Sequence, residues 1–153
     1  MPRKKQLSGT PDDTEAAFYD ALARADLEAL MALWADDDEI VCIHPGAPRL
    51  IGHAAIRASW QAIFEQGGVH IYPVQLHVMQ NLMAATHSVQ EQMRPGISGE
   101  GSALRGTDAA PELHILATNV YVKTPLGWRI AVHHASIAPG KPAIENKASA
   151  TLH

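Results

Sequence analysis

The chain has 153 residues, 46% of them hydrophobic and 18% charged, with a net charge of −4. That is the make-up of one folded domain able to bury its own core rather than of a disordered chain, and the acidic balance excludes nucleic acid as the main partner, since phosphate binding calls for a basic surface. No apolar run reaches the ~20 residues of a membrane span, residues 1–10 lack the apolar stretch of a signal peptide, and the single cysteine, Cys42, allows no internal disulfide, so a cytoplasmic protein without membrane contact is expected.

The only basic run, Arg3-Lys4-Lys5, lies in a polar stretch, residues 1–10, read as a solvated tail. Thr10-Pro11-Asp12-Asp13 predicts a helix start: a capping hydroxyl, proline at the first helical position and acids in the first turn. Ala17, Phe18, Ala21, Leu22 and Ala25 continue it at the helical period. Asp26 caps a second short helix whose buried stripe is Leu27, Leu30, Met31 and Trp34, and Asp36-Asp37-Asp38 ends it as a solvated turn. Residues 39–44 read as a strand, residues 45–48 (Pro-Gly-Ala-Pro) as a turn, and residues 50–52 as a short extended piece. Residues 53–66 form a third amphipathic helix with Ile56, Ser59, Trp60 and Ile63 on one face, stopped at Gly67-Gly68.

The period then changes from 3.6 to 2. Strands are predicted over 69–79, 82–93, 112–124 and 128–137, the last two joined as a hairpin by Thr124-Pro125-Leu126-Gly127. Residues 94–111, with four glycines and almost no apolar pattern, read as a long loop, and residues 139–153 as a tail. No internal repeat or second domain is visible, so residues 11–138 are read as one domain. Three helices followed by long strands make an α+β fold. A long curved sheet needs its concave face covered, and the helices are the only cover available. The expected architecture is a cone-shaped, curved, mixed or antiparallel sheet wrapped around three N-terminal helices, with a mouth suited to a ligand.

The motifs Ala25-Asp26-Leu27-Glu28-Ala29-Leu30, Trp34-Ala35-Asp36-Asp37, His44-Pro45 and Gly52-His53-Ala54-Ala55-Ile56-Arg57, in this order, resemble the nuclear transport factor 2 superfamily, particularly its SnoaL-like and ketosteroid-isomerase-like members. The hairpin carrying Thr118-Asn119-Val120-Tyr121, Gly127-Trp128-Arg129-Ile130 and His133-His134-Ala135-Ser136 is similar to the association domain of calcium/calmodulin-dependent protein kinase II. The resemblance spans roughly residues 12–138 and implies a conical barrel, a homodimer through the outer sheet face, and activities ranging from isomerase, cyclase and dehydratase to plain oligomerisation.

By that resemblance His44 stands where ketosteroid isomerases carry their catalytic base, and histidine titrates near working pH. The alternative is a strand-end histidine bonded to a loop carbonyl. The isomerases' oxyanion tyrosine matches Phe18, which cannot donate, and the adjacent Tyr19 is expected about 100° round the helix, facing elsewhere. Strict alternation places Trp128, Ile130, Val132, His134 and Ser136 on the inner face of the last strand, with His134 as a second catalytic candidate and His133 outward on a dimer surface. Asn119 and Tyr121 share a face of the preceding strand. Asn119 and Gln90 match arginine positions of the kinase pocket, and neutral amides there favour a small apolar-to-neutral organic ligand over an anion. Trp34 and Trp60 are core residues that can also wall the pocket. Neither a metal site nor a cofactor is expected, since the nine histidines follow no ligand spacing. Cys42 and His44, about 6.6 Å apart along a strand, are too far for a nucleophile–base bond. Two functions remain: a pocket protein, possessing lyase, isomerase or cyclase activity if histidine acts as base, and a non-catalytic association module.

Overall fold

The computed structural model describes residues 9–93 and 113–139; the expectations for the N-terminal tail, the loop over 94–111 and the C-terminal tail lie outside the described residues, apart from Gly9, Thr10 and Pro139. Helix α1 (Pro11–Arg24) begins as its sequence predicts: Thr10 accepts from the Asp13 amide and Pro11 opens the helix. Its buried stripe is wide, with Thr14, Glu15, Phe18, Tyr19, Ala21 and Leu22 all covered. These are positions i, i+4, i+8 beside i+1, i+5 and their neighbours, the arc of a helix wrapped by a sheet rather than resting on one.

Helix α2 (Leu27–Met31), capped by Asp26, is shorter than its apolar stripe implies. Leu33 and Ala35 leave it to bond the backbone of Ile130 at 2.8 Å each, so Trp34 sits in a β-bridge and not on a helix. Strands β1 (Val41–Ile43) and β2 (Leu50–Ile51) lead into α3 (His53–Phe64), followed by β3 (Ile71–Gln80), β4 (Ala84–Met93), β5 (Leu113–Thr124) and β6 (Gly127–Pro139). Between α3 and β3 the backbone passes close over α1. A Cβ on Gly68 would stand 2.1 Å from the Ala23 carbonyl oxygen, and the Val69 amide bonds Leu22 O at 2.8 Å. Gly68 therefore serves close approach and not helix termination, since α3 already ends at Phe64.

The six strands form one open sheet in the order β2-β1-β6-β5-β4-β3. All neighbours are antiparallel except β1 and β6, which run parallel, so the sheet is mixed and curved as expected. The helices cover its concave face: Thr14 of α1 donates to the Trp128 carbonyl of β6 at 2.9 Å, and Phe18, Leu22, Leu30, Ile56 and Trp60 meet Ala85, Val89, Ala117, Tyr121 and Ile130 in the core.

One irregularity decides what the interior contains. Val120 pairs with Val132 but Tyr121 pairs with Ile130, leaving Ala131 unopposed on β6. This β-bulge reverses the inward and outward alternation of everything after it.

Candidate functional site

Inside the cone lies a buried cluster of polar side chains, one continuous network drawn from four elements. Glu15 of α1 is its hub: Oε2 accepts from His87 Nδ1 at 2.8 Å, from the Tyr121 hydroxyl at 2.6 Å and from Asn119 Nδ2 at 3.4 Å. Asn119 Nδ2 also donates to the Tyr19 hydroxyl at 3.1 Å, and Tyr19 donates onward to Glu91 Oε2 at 2.7 Å. These bonds fix the Asn119 amide, because the nitrogen must face the carboxylate. Its oxygen therefore faces His133, whose Nδ1–H donates to it at 2.6 Å. A directed chain results, from His133 through Asn119 and Tyr19 to Glu91. It leaves His133 as the tautomer with a bare Nε2.

Burial sets the electrostatics. It lifts the Glu91 carboxyl to about 7, with the Tyr19 hydrogen bond pulling down and the Glu15 charge pushing up. It raises both tyrosine hydroxyls above their ordinary value, helped by the neighbouring carboxylates. It holds His133 down at about 3, reinforced by His44 and His134. His133 is thus a neutral imidazole at working pH. On the far side of the hub, His87 Nε2 has no hydrogen-bond partner and lies 3.8 Å from Asp12 Oδ1.

His44 follows β1 at the side of this cluster, half-buried. Its Nε2 lies 2.6 Å from Ser59 Oγ of α3, and its ring stands edge-on to Trp60 at 4.6 Å. Burial lowers its pKa. Trp60 also approaches His133 (6.1 Å) and Phe18 (6.0 Å), so an aromatic wall joins the two histidines. The side chains of Cys42 and His44 lean together to 3.9 Å, closer than the strand spacing implies. The thiol is nevertheless fully buried and pushed up to about 12 by that burial, so it is no ready nucleophile. Among the described residues no group of three or more His, Cys, Asp or Glu side chains is placed to hold a metal ion.

The expected site residues divide. Asn119, Tyr121, Trp34 and Trp60 are buried, and His44 lies alongside them. His134 and Ser136 are exposed on the outer face, opposite the expectation, because the Ala131 bulge turns His133 and Ala135 inward in their place. His133 is accordingly an interior residue and not a dimer-surface one. Gln90 is buried too, at 6% exposure, but Glu91 beside it is the one that bonds Tyr19, and Gln90 joins none of the network's hydrogen bonds given above. Tyr19 faces the interior after all, since the covered arc of α1 is wide enough for both it and Phe18. Four further network members escaped the sequence reading as site residues: Glu15, His87, Glu91 and, in its inward position, His133. The signal for Glu15 was its spacing of four from Tyr19; that for His87 and Glu91 was their alternation with Ala85 and Val89.

The profile of the SnoaL-like domain matches residues 12–139. The chain belongs to the SnoaL-like family. Two solved structures share both fold and sequence with it. One, from Thiobacillus denitrificans and proposed as a calcium/calmodulin-dependent protein kinase type II association domain, is 36% identical over 87% of this chain and 97% of its own, with a TM-score of 0.71. The other, from Streptomyces avermitilis and proposed as a dehydratase of the NTF2-like family, is 30% identical over 87% of this chain and 100% of its own, at 0.65. A cystatin-like protein of unknown function from Nostoc punctiforme, 14% identical over 86% of this chain and 90% of its own, shares the fold at 0.63. Among curated proteins none matches the chain.

Proposed function

We propose that this SnoaL-like chain is a pocket protein that binds a small, mostly apolar, uncharged organic molecule inside the cone and carries out a proton-transfer reaction of the lyase, isomerase or cyclase type on it. The observation that carries this reading is the buried network itself. Burying two carboxylates, two histidines, two tyrosines and an amide costs stability relative to an apolar core, and a cone needs no such cluster to fold. His44, beside the aromatic wall and bonded to Ser59, is the histidine placed to shuttle a proton. Asn119 is not an oxyanion donor in this scheme, because both its N–H groups are engaged by Tyr19 and Glu15. The dehydratase proposed from Streptomyces avermitilis is in keeping with a lyase.

A metabolite thermal-shift screen of the full chain is the test. A hit should raise the melting temperature, and His44→Ala and Asn119→Ala should each weaken it at least tenfold in apparent affinity. Unchanged affinity in both variants would remove the site from the interior.

A second reading, an association module, rests on the outer face. The outer positions of β4 include Thr86, Ser88 and Gln92; those of β5 from Leu116 to Val120 and of β6 from Val132 to Ser136 hold no Asp, Glu, Lys or Arg. Leu116 is 45% and Met79 74% exposed there. Such a face suits a homodimer through the sheet, and the name given to the Thiobacillus denitrificans relative is in keeping with it.

A further inference from the structure

The donors and acceptors of the interior do not balance, and the imbalance has a direction. Each strong donor of the network already has an acceptor: the Tyr121 hydroxyl and His87 Nδ1 on Glu15, the Tyr19 hydroxyl on Glu91, both N–H groups of Asn119, and His133 Nδ1 on Asn119. Three acceptors of the network are left over, His87 Nε2 among them, while outside the network the Trp34 and Trp60 Nε1–H donors also lack a partner. Glu91 Oε1 and His133 Nε2 have no hydrogen-bond partner among the described residues, although their side chains are buried at 4% and 3% exposure. The fully occluded unpartnered atoms are Trp34 Nε1, Trp60 Nε1 and His87 Nε2. Glu91 Oε1 and His133 Nε2 are not among them. Among the described residues no Lys or Arg is buried, and the basic side chain set against Glu15 is His87.

We infer that the interior site selects ligands that donate a hydrogen bond and carry no negative charge, an alcohol, phenol or amide N–H reaching Glu91 Oε1 or His133 Nε2, and rejects carboxylates and phosphates of the same skeleton. This rests on the pocket reading above and gives it a ligand class. The polarity is the reverse of an oxyanion hole, which offers donors to a substrate oxygen. A ligand hydroxyl satisfies a buried acceptor that would otherwise lose its water, an ether of the same shape leaves that acceptor bare, and a carboxylate adds like-charge repulsion to Glu91 and Glu15 in a poorly screened interior.

The test uses the full wild-type chain at pH 8 and nine probes: benzyl, cyclohexylmethyl and n-hexyl skeletons, each bearing a hydroxyl, a methoxy or a carboxylate group. Affinities are measured by ligand-observed NMR. On any skeleton that binds, the alcohol is expected at least tenfold tighter than its ether and its carboxylate. An ether or carboxylate that binds as tightly as its alcohol overturns the inference and leaves the pocket reading standing. Binding by none of the nine sinks the pocket reading and the inference with it. Glu91→Gln keeps an acceptor for Tyr19 while removing the charge, and should narrow the gap between alcohol and carboxylate at least threefold; an unchanged gap overturns the assignment to Glu91. Should that variant fail to fold, His133→Gln replaces it, with the alcohol-to-ether gap narrowing at least threefold as the expected result and an unchanged gap as the contrary one.

Discussion

Glu91 and His133 sit at the two ends of one hydrogen-bond chain, yet burial moves their protonation in opposite senses. Glu91 holds its proton up to about 7 in the fold, against an ordinary value of 4.5, so between those limits the native state binds one proton more than the unfolded state. Its contribution to stability is fully present below pH 4.5 and is lost as pH rises to about 7. His133 loses its proton near 3 in place of 6.5, so between those limits the native state binds one proton fewer, and stability falls as pH drops from 6.5. From pH 4.5 to 6.5 the two effects oppose each other, and wild-type stability should be nearly flat. Chemical denaturation across pH 4.5–6.5 checks this. Glu91→Gln should uncover a decline on acidification, and His133→Gln a rise, each on the order of 1 kcal/mol per pH unit; parallel profiles for both variants and wild type would contradict the opposed pair. The interior carboxyl and tyrosine were readable only in part from sequence. Residue types give no burial, and a glutamate at position 15 of an acidic helix start reads as a solvated charge until the sheet is seen to wrap that side.

At the scale of elements, the crossing between α3 and β3 depends on Gly68. A methyl group there meets the Ala23 carbonyl of α1 at 2.1 Å, and backbone atoms on both sides have to give. Gly68→Ala should cost roughly 1–3 kcal/mol as overpacking, measured by urea denaturation, whereas a cost below about 0.5 kcal/mol would show the crossing to be soft. Helix starts and the β5–β6 hairpin were legible in local chemistry, from caps, prolines, glycines and period, whereas α3 ends at Phe64, ahead of the Gly67-Gly68 stop. The end of α2 was not, because Leu33 and Ala35 gain backbone partners on Ile130, almost a hundred residues away, and such pairing outweighs a helical stripe. The inner face of β6 was misread for a related reason. Alternation is counted from one end, and nothing in Arg129-Ile130-Ala131-Val132 marks the residue that drops out of register.

For the whole molecule, the order of elements pointed to the cone, since long strands with one-sided helical cover have few arrangements. The parallel pairing of β1 with β6 closes the side of the sheet where His44 stands and brings α3 against the network. The uncharged outer face is expected to hold two copies together. Light scattering should give a dimer for the wild type and a monomer for Leu116→Lys, a substitution at a 45% exposed position that leaves the interior untouched. A wild-type monomer would remove the dimer.

The unopposed Ala131 makes β6 behave like a vernier. Upstream of it the strand presents one set of side chains to the helices; downstream it presents the complementary set. Losing or gaining that one residue exchanges His133 for His134 inside the cone with no substitution at either position. In this chain, then, what the last strand offers the interior is set by one extra residue as much as by residue identity.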